Sequence, residues 1–235
     1  MKLDSLFETP FILKQKLHPD LWDDKTLKQE VRIKLVEIAY AFLKYINLPG
    51  LDIEDILFTG SMANYNYNDN SDIDLHLVVD FSKLPADCPL LADDYFQAKK
   101  TLFNKNHNIT IYGHPVELYV ENIEAPSKSG GKFSIMNNDW VEIPVPSTIT
   151  LLGDPEESEK YKDLVNRIRD VLSSEYNIDE ANELMDEIYS MRQSGLNTGG
   201  ELSFENICFK QLRNDGYIEA LKDYINANYD KTLSL

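Results

Sequence analysis

Cysteine is nearly missing from this chain of 235 residues: only Cys88 and Cys208 occur, 120 positions apart. Two cysteines build neither a disulfide framework nor a thiolate zinc site, and such usage fits a reducing compartment. Basic residues are also scarce, with 23 Lys and Arg against 40 Asp and Glu and a formal net charge of −17. A long nonspecific grip on nucleic acid, or a polybasic membrane dock, needs many cations facing phosphates, and this composition argues against both. It leaves room for a small basic site within an acidic molecule. No window approaches the roughly 18 consecutive apolar residues of a membrane span. Asp4, Glu8, Pro10 and Lys14 interrupt any apolar core of a secretory signal. The expectation is a cytoplasmic protein with no membrane partner. Ten Gly and ten Pro exclude a collagenous or low-complexity chain, and the 43% of apolar residues suffices for a sizeable core.

What is present divides the chain in two. Residues 1–25 show no period and read as an extended arm. Leu27, Val31, Leu35, Ile38, Phe42 and Tyr45 recur at three- and four-residue steps and predict a helix from Thr26 to Ile46, stopped by Pro49-Gly50. Ile56 to Thr59 reads as a buried strand leading into Gly60-Ser61. Asp72 to Leu77 alternates polar and apolar residues, the period of a half-buried strand. A helix is expected from Asp93 to about Asn104, with Tyr95, Ala98 and Leu102 inward and the Lys99-Lys100 pair on a solvated face. Ile109–Tyr112 and Val116–Val120 read as a hairpin turned at Gly113-His114-Pro115, and Phe133–Met136 with Trp140–Ile143 as another.

Beyond Pro144-Val145-Pro146 the strand signals end. Asp154-Pro155-Glu156-Glu157 is the order that starts a helix, with Tyr161, Leu164, Ile168 and Val171 as its stripe. Further helices are expected near Asp179–Arg192, Ser203–Arg213 and Tyr217–Asn228, separated by Gly195, Gly199-Gly200 and Asp215-Gly216. The predicted organisation is α+β: a first domain over 1–150 built on a small mixed sheet, then a helical domain over 151–235.

The chemistry concentrates at Asp72-Ile73-Asp74, which begins eleven residues after Ser61. Side chains at i and i+2 of a strand share a face, about 6.6 Å apart along the chain. Asp72 and Asp74 therefore project together while Ile73 and Leu75 enter the core. Two ionised carboxylates so placed repel each other, and a hard dication removes the penalty. Mg²⁺ takes carboxylate oxygens and completes its shell with phosphates and water. A pair of such ions about 3.5–4 Å apart can clamp the attacking and leaving oxygens of a phosphoryl or nucleotidyl transfer. A third carboxylate is offered by Val116-Glu117-Leu118, and Glu121 has the same parity further along. Gly60 permits close backbone approach, and Ser61 opens a short helix whose N–H groups and hydroxyl suit phosphate oxygens. Of the remaining candidates, His76 shares the face of the two aspartates and reads as a packed or solvent-facing imidazole. His18, His107 and His114 read as loop residues.

Gly60-Ser61, then Asp72-x-Asp74, then Glu117 between apolar neighbours resembles the DNA polymerase beta-like nucleotidyltransferase superfamily. These motifs cover residues 57–121. His18-Pro19-Asp20-Leu21-Trp22, Tyr112 to Leu118 and Phe209-Lys210-Gln211-Leu212-Arg213 also look like segments of nucleotidyltransferases encoded by tailed phages. The third acid of the superfamily is commonly Asp, so Glu117 departs from its pattern by one methylene. The resemblance implies transfer of a nucleoside monophosphate from an NTP such as ATP to an acceptor hydroxyl, with release of pyrophosphate. Two Mg²⁺ ions, or Mn²⁺ in their place, would be held by Asp72, Asp74 and Glu117. Gly60 and Ser61 would hold the β- and γ-phosphates. Lys210 and Arg213, three residues apart on one helix face, either add to the phosphate grip or pair with Glu205 and Asp215 on a solvated surface. The acceptor could be an RNA end, a protein hydroxyl, a second nucleotide or a small molecule. The rival expectations are a non-catalytic binding protein that keeps the fold, and an antitoxin-like modifier of a partner protein.

Overall fold

The computed structural model describes residues 14–69, 71–84, 91–124, 129–146, 155–173 and 178–234. It is a mixed α+β structure with two compact units, one over Leu13–Thr148 and another holding Ile149–Leu235. Each has its own apolar core.

The first unit is organised by a six-stranded sheet in the order β5-β6-β4-β3-β7-β8. Its strands are β3 (Asp55–Thr59), β4 (Ile73–Val79), β5 (Thr110–Ile111), β6 (His114–Asn122), β7 (Lys132–Ser134) and β8 (Asp139–Glu142). All neighbours are antiparallel except β4 and β6, which run parallel. Parallel neighbours need a long crossover, and helix α2 (Ala92–Asn106) lies within it. The alternation in β4 sorts as expected: Ile73, Leu75 and Leu77 are fully buried, while Asp74 and His76 on the other face are half-buried.

Helix α1 covers Gln29–Ile46 and begins three residues later than its apolar period suggests. Thr26–Leu27 instead forms β2, paired with β1 (Trp22–Asp23). The described part of the expected arm, from residue 14, is packed and not extended. Leu17, Leu21 and Trp22 are buried. The Trp22 ring stacks between Phe58 and Trp140, at 5.4 and 4.8 Å, and its Nε1–H donates to the Met62 carbonyl at 2.9 Å. No period shows in this segment because it packs through single large side chains.

Helix α2 turns a different face inward from the expected one. Tyr95 and Leu102 are exposed, whereas Ala92, Phe96 and Phe103 are buried. Asn104, on the same side, bonds to the backbone of Leu118 through both its amide N–H and its carbonyl. The hairpin of β5 and β6 turns at Tyr112-Gly113, both with positive φ of 50° and 89°, so His114 and Pro115 already belong to the strand. That backbone is the two-residue turn that matches strand twist.

The second unit contains α3 (Pro155–Ser173), α4 (Ile178–Gly199), α5 (Phe204–Asn214) and α6 (Tyr217–Leu233). Asp154 lies outside the described residues, as does Cys88. Leu164, Ile168 and Val171 of α3 meet Leu184 and Ile188 of α4, Leu212 of α5 and Leu221 of α6 in the core. Gly195 does not break α4. It lies inside the helix, where a Cβ would come within 2.6 Å of Glu205 and 2.7 Å of Ser203. Cys208 fills core space, and burial pushes its thiol up to about 11. Among the described residues no helix is long and apolar enough to cross a membrane.

Candidate metal and nucleotide site

Asp72, Asp74 and Glu117 come together at one end of the paired strands. Asp74 is the register partner of Thr59 on β3 and of Glu117 on β6. Asp72 stands two residues earlier on the Asp74 face. Each of the three offers a carboxylate oxygen, and these atoms lie within 4.8 Å of one another, with all three residues half-buried. Like charges this close repel by about 3 kcal/mol per pair at an effective dielectric of about 20, less where water screens them. Such a trio is stabilised by a cation.

The parallel register also separates Glu117 from Glu121. Glu121 pairs with Val78, four residues beyond Asp74 on the same face. It is buried, and its Oε2 lies 2.6 Å from Nδ1 of His76. Glu121 therefore serves an imidazole–carboxylate pair, and Glu117 completes the acidic trio.

Gly60 makes the cluster sterically feasible. It joins β3 to a single 3-10 turn, Ser61–Ala63, at φ 76° and ψ −163°, a region essentially restricted to glycine. A Cβ built there would lie 1.8 Å from Oδ2 of Asp74. The Gly60 N–H donates to Oγ of Ser129 at 3.3 Å, and the Ser129 hydroxyl donates to the Gly131 carbonyl at 3.0 Å. Gly131 is itself pressed on the turn, with a Cβ there falling 2.1 Å from the Ala63 carbonyl oxygen. Ser61 is buried.

Two residues stand at the site that the sequence did not assign to it. Tyr119, two positions beyond Glu117 on the same face of β6, donates its hydroxyl to Glu117 Oε2 at 2.7 Å. Its ring stacks on His76 at 4.6 Å. Burial first, then the charges of Asp74 and Glu117, push the phenol pKa far up, so the hydroxyl keeps its proton and remains a donor. Lys100 of α2 sets its Nζ over the Tyr119 ring, 3.7 Å from the centroid. It is half-buried, not on a solvated face as expected. Burial lowers its pKa, against the raising effect of Glu117 and Asp74. The usable signal was the spacing of Phe96, Lys100, Phe103 and Asn104, a helical stripe with a cation in its middle.

Lys210 and Arg213 lie in the second unit, on α5, and both are half-buried. The carboxylate of Asp215, an expected partner for them, accepts hydrogen bonds from Tyr161 and Gln211.

The donor set fits a hard divalent ion. It consists of three carboxylate groups, and the missing Cβ of Gly60 leaves the Asp74 carboxylate its place among them. Removing one hydroxyl tests how Glu117 is held. Tyr119→Phe should weaken Mn²⁺ binding by about tenfold, as loss of an outer partner of a metal ligand usually does. Calorimetric titration with Mn²⁺ checks this, and wild-type affinity in the variant would show that Glu117 is oriented without Tyr119.

No protein-family model matches the chain, and no curated protein matches it. Among solved structures, the STING-associated CdnE c-di-GMP synthase from Capnocytophaga granulosa is similar over 86% of this chain and 83% of that chain, at 13% identity and a TM-score of 0.23. An overlap this loose leaves the chemistry to the chain's own residues.

Proposed function

We propose that the chain is a metal-dependent nucleotidyltransferase that moves a nucleoside monophosphate from an NTP to an acceptor hydroxyl. The observation that carries this reading is the convergence of Asp72, Asp74 and Glu117 oxygens within 4.8 Å, beside a glycine whose missing Cβ leaves Asp74 its place. Mg²⁺ or Mn²⁺ held there would neutralise phosphate charge and act as a Lewis acid on the triphosphate, and two-ion sites do this for both the attacking and the leaving oxygen.

The chain's own residues supply the remainder. The new bond joins the acceptor oxygen to the α-phosphorus, the bond from that phosphorus to the β-phosphate oxygen breaks, and pyrophosphate leaves. The acceptor proton goes to the Glu117 carboxylate. The Tyr119 hydroxyl already occupies Oε2 of that group, which gives Oε1 to a metal ion or to the proton. Gly60 and Ser61 are assigned to the β- and γ-phosphates, where a backbone without Cβ and a short turn admit close approach. Lys100 adds a cation beside the trio.

The cheapest test is thermal unfolding with each NTP, with and without Mg²⁺. Stabilisation by an NTP only when Mg²⁺ is present supports the reading, because a ligand stabilises the state it binds. Indifference to all four NTPs with Mg²⁺ would return the fold to a binding role. Glu117→Gln should lose turnover by about a hundredfold or more. Glu121→Gln should keep most of its turnover and lose stability, since Glu121 is buried against His76. Pyrophosphate assays and melting curves on the pair separate these roles, and the opposite pattern would move the third ligand to Glu121.

A further inference from the structure

The described residues hold a second cluster of ligand-type side chains. His18, Asp20 and His114 each place one ligand atom within 4.8 Å of the others. His18 and Asp20 come from the turn before β1, and His114 is the first residue of β6. The two imidazoles meet edge to face, with centroids 4.7 Å apart, and Tyr67 packs against His18 at 4.9 Å. His114 is buried, His18 is half-buried and Asp20 is exposed.

Hydrogen bonding assigns the nitrogens. Nδ1 of His114 lies 3.1 Å from the backbone carbonyl of Ser71. A carbonyl oxygen only accepts, so Nδ1 carries the proton and Nε2 keeps its lone pair. Metal-ligating histidines use this arrangement, with the outer nitrogen donating to a carbonyl and the inner one free to ligate. At His18, Nδ1 accepts the Asp20 amide N–H at 3.3 Å, a long contact that costs little to exchange for a stronger one.

The geometry points to a site for a zinc-class divalent ion, held by Nε2 of His114, an imidazole nitrogen of His18 and a carboxylate oxygen of Asp20. Imidazole suits zinc, iron or nickel, whereas an all-oxygen set suits magnesium or manganese. The two clusters of this unit thus sort ions by donor chemistry. Ligands about 2.0–2.1 Å from a tetrahedral ion stand about 3.3 Å from one another, so Asp20 closes in from its exposed turn, and water takes the open position.

The site would also brace the carboxylates. Ser71 directly precedes Asp72, and His114 stands three residues before Glu117, on strands in parallel register. An ion there ties the turn before β1 to the strand that presents Glu117 and, through the Ser71 carbonyl, to the start of β4. This inference does not depend on the transferase reading.

The test uses the full-length Asp72→Asn/Asp74→Asn protein, stripped of metal, so that the acidic site is disabled. Calorimetric titration should show one equivalent of Zn²⁺, and Co²⁺ should give a visible ligand-field band. Adding Asp20→Asn, on an exposed turn, or His18→Gln should weaken Zn²⁺ binding by roughly tenfold or more, with circular dichroism unchanged. Absence of Zn²⁺ binding in the starting protein, or binding unchanged by both further substitutions, would overturn the proposal and leave an aromatic packing cluster.

Discussion

Asp72→Asn and Asp74→Asn are each expected to abolish Mg²⁺-dependent pyrophosphate release while the protein stays folded. Either change removes one carboxylate from a trio whose oxygens lie within 4.8 Å. The remaining carboxylates then hold a divalent ion too weakly to be occupied at millimolar Mg²⁺. Stability should hold or rise slightly without metal, because one of three repelling charges is gone. Both aspartates are half-buried, so screening by water keeps that gain small. Pyrophosphate assays with matched melting curves check both halves. Turnover above about a tenth of wild type, a barrier change under about 1.4 kcal/mol, would contradict the assignment.

Gly60→Ala should be nearly as damaging, and for a different reason. The residue sits at φ 76° and ψ −163°, where an L side chain costs about 1–3 kcal/mol in the backbone alone. The new methyl would lie 1.8 Å from Oδ2 of Asp74, so the carboxylate must leave its place or the strand must shift. Overpacking of this kind adds about 1–3 kcal/mol. A combined loss of about 3 kcal/mol lowers the thermal midpoint by roughly 6–12 °C in a chain of this size. At a temperature where the variant is folded, Mn²⁺ affinity should still fall, because Asp74 is displaced. Normal affinity together with a normal midpoint would mean that the turn relaxes without disturbing Asp74.

Part of this architecture was readable residue by residue. The period of two from Asp72 to Leu77 set both the strand and its faces, because one side of β4 is wholly apolar. Glu117 was visible between two apolar neighbours, but its alignment beside Asp74 was not. That depends on a parallel pairing across a crossover that contains α2, and local pattern carries no register for distant strands. The face of α2 was misjudged for a related reason. Tyr95, Ala98 and Leu102 satisfy helical spacing as well as Phe96, Lys100 and Phe103 do, and counting apolar residues favours the set without the lysine. The structure sets the Lys100 Nζ over the Tyr119 ring, half-buried and within electrostatic reach of Glu117 and Asp74. The segment from residue 14 to 28 was opaque because its order comes from long-range partners. Trp22 rests on Phe58 and Trp140, and the Trp140 indole donates to the Lys25 carbonyl at 2.7 Å.

The most direct measurement of the central claim incubates the purified full-length protein with α-labelled ATP, GTP, CTP and UTP in turn. Total cellular RNA and protein are supplied as acceptors, with and without Mg²⁺, and Asp74→Asn serves as the control. The expected result is label joined to one acceptor fraction from at least one NTP, requiring Mg²⁺ and absent from the Asp74→Asn reaction. Label equal in both proteins, or no transfer from any NTP together with no Mg²⁺-dependent NTP stabilisation, would contradict a nucleotidyl transfer centred on Asp72, Asp74 and Glu117.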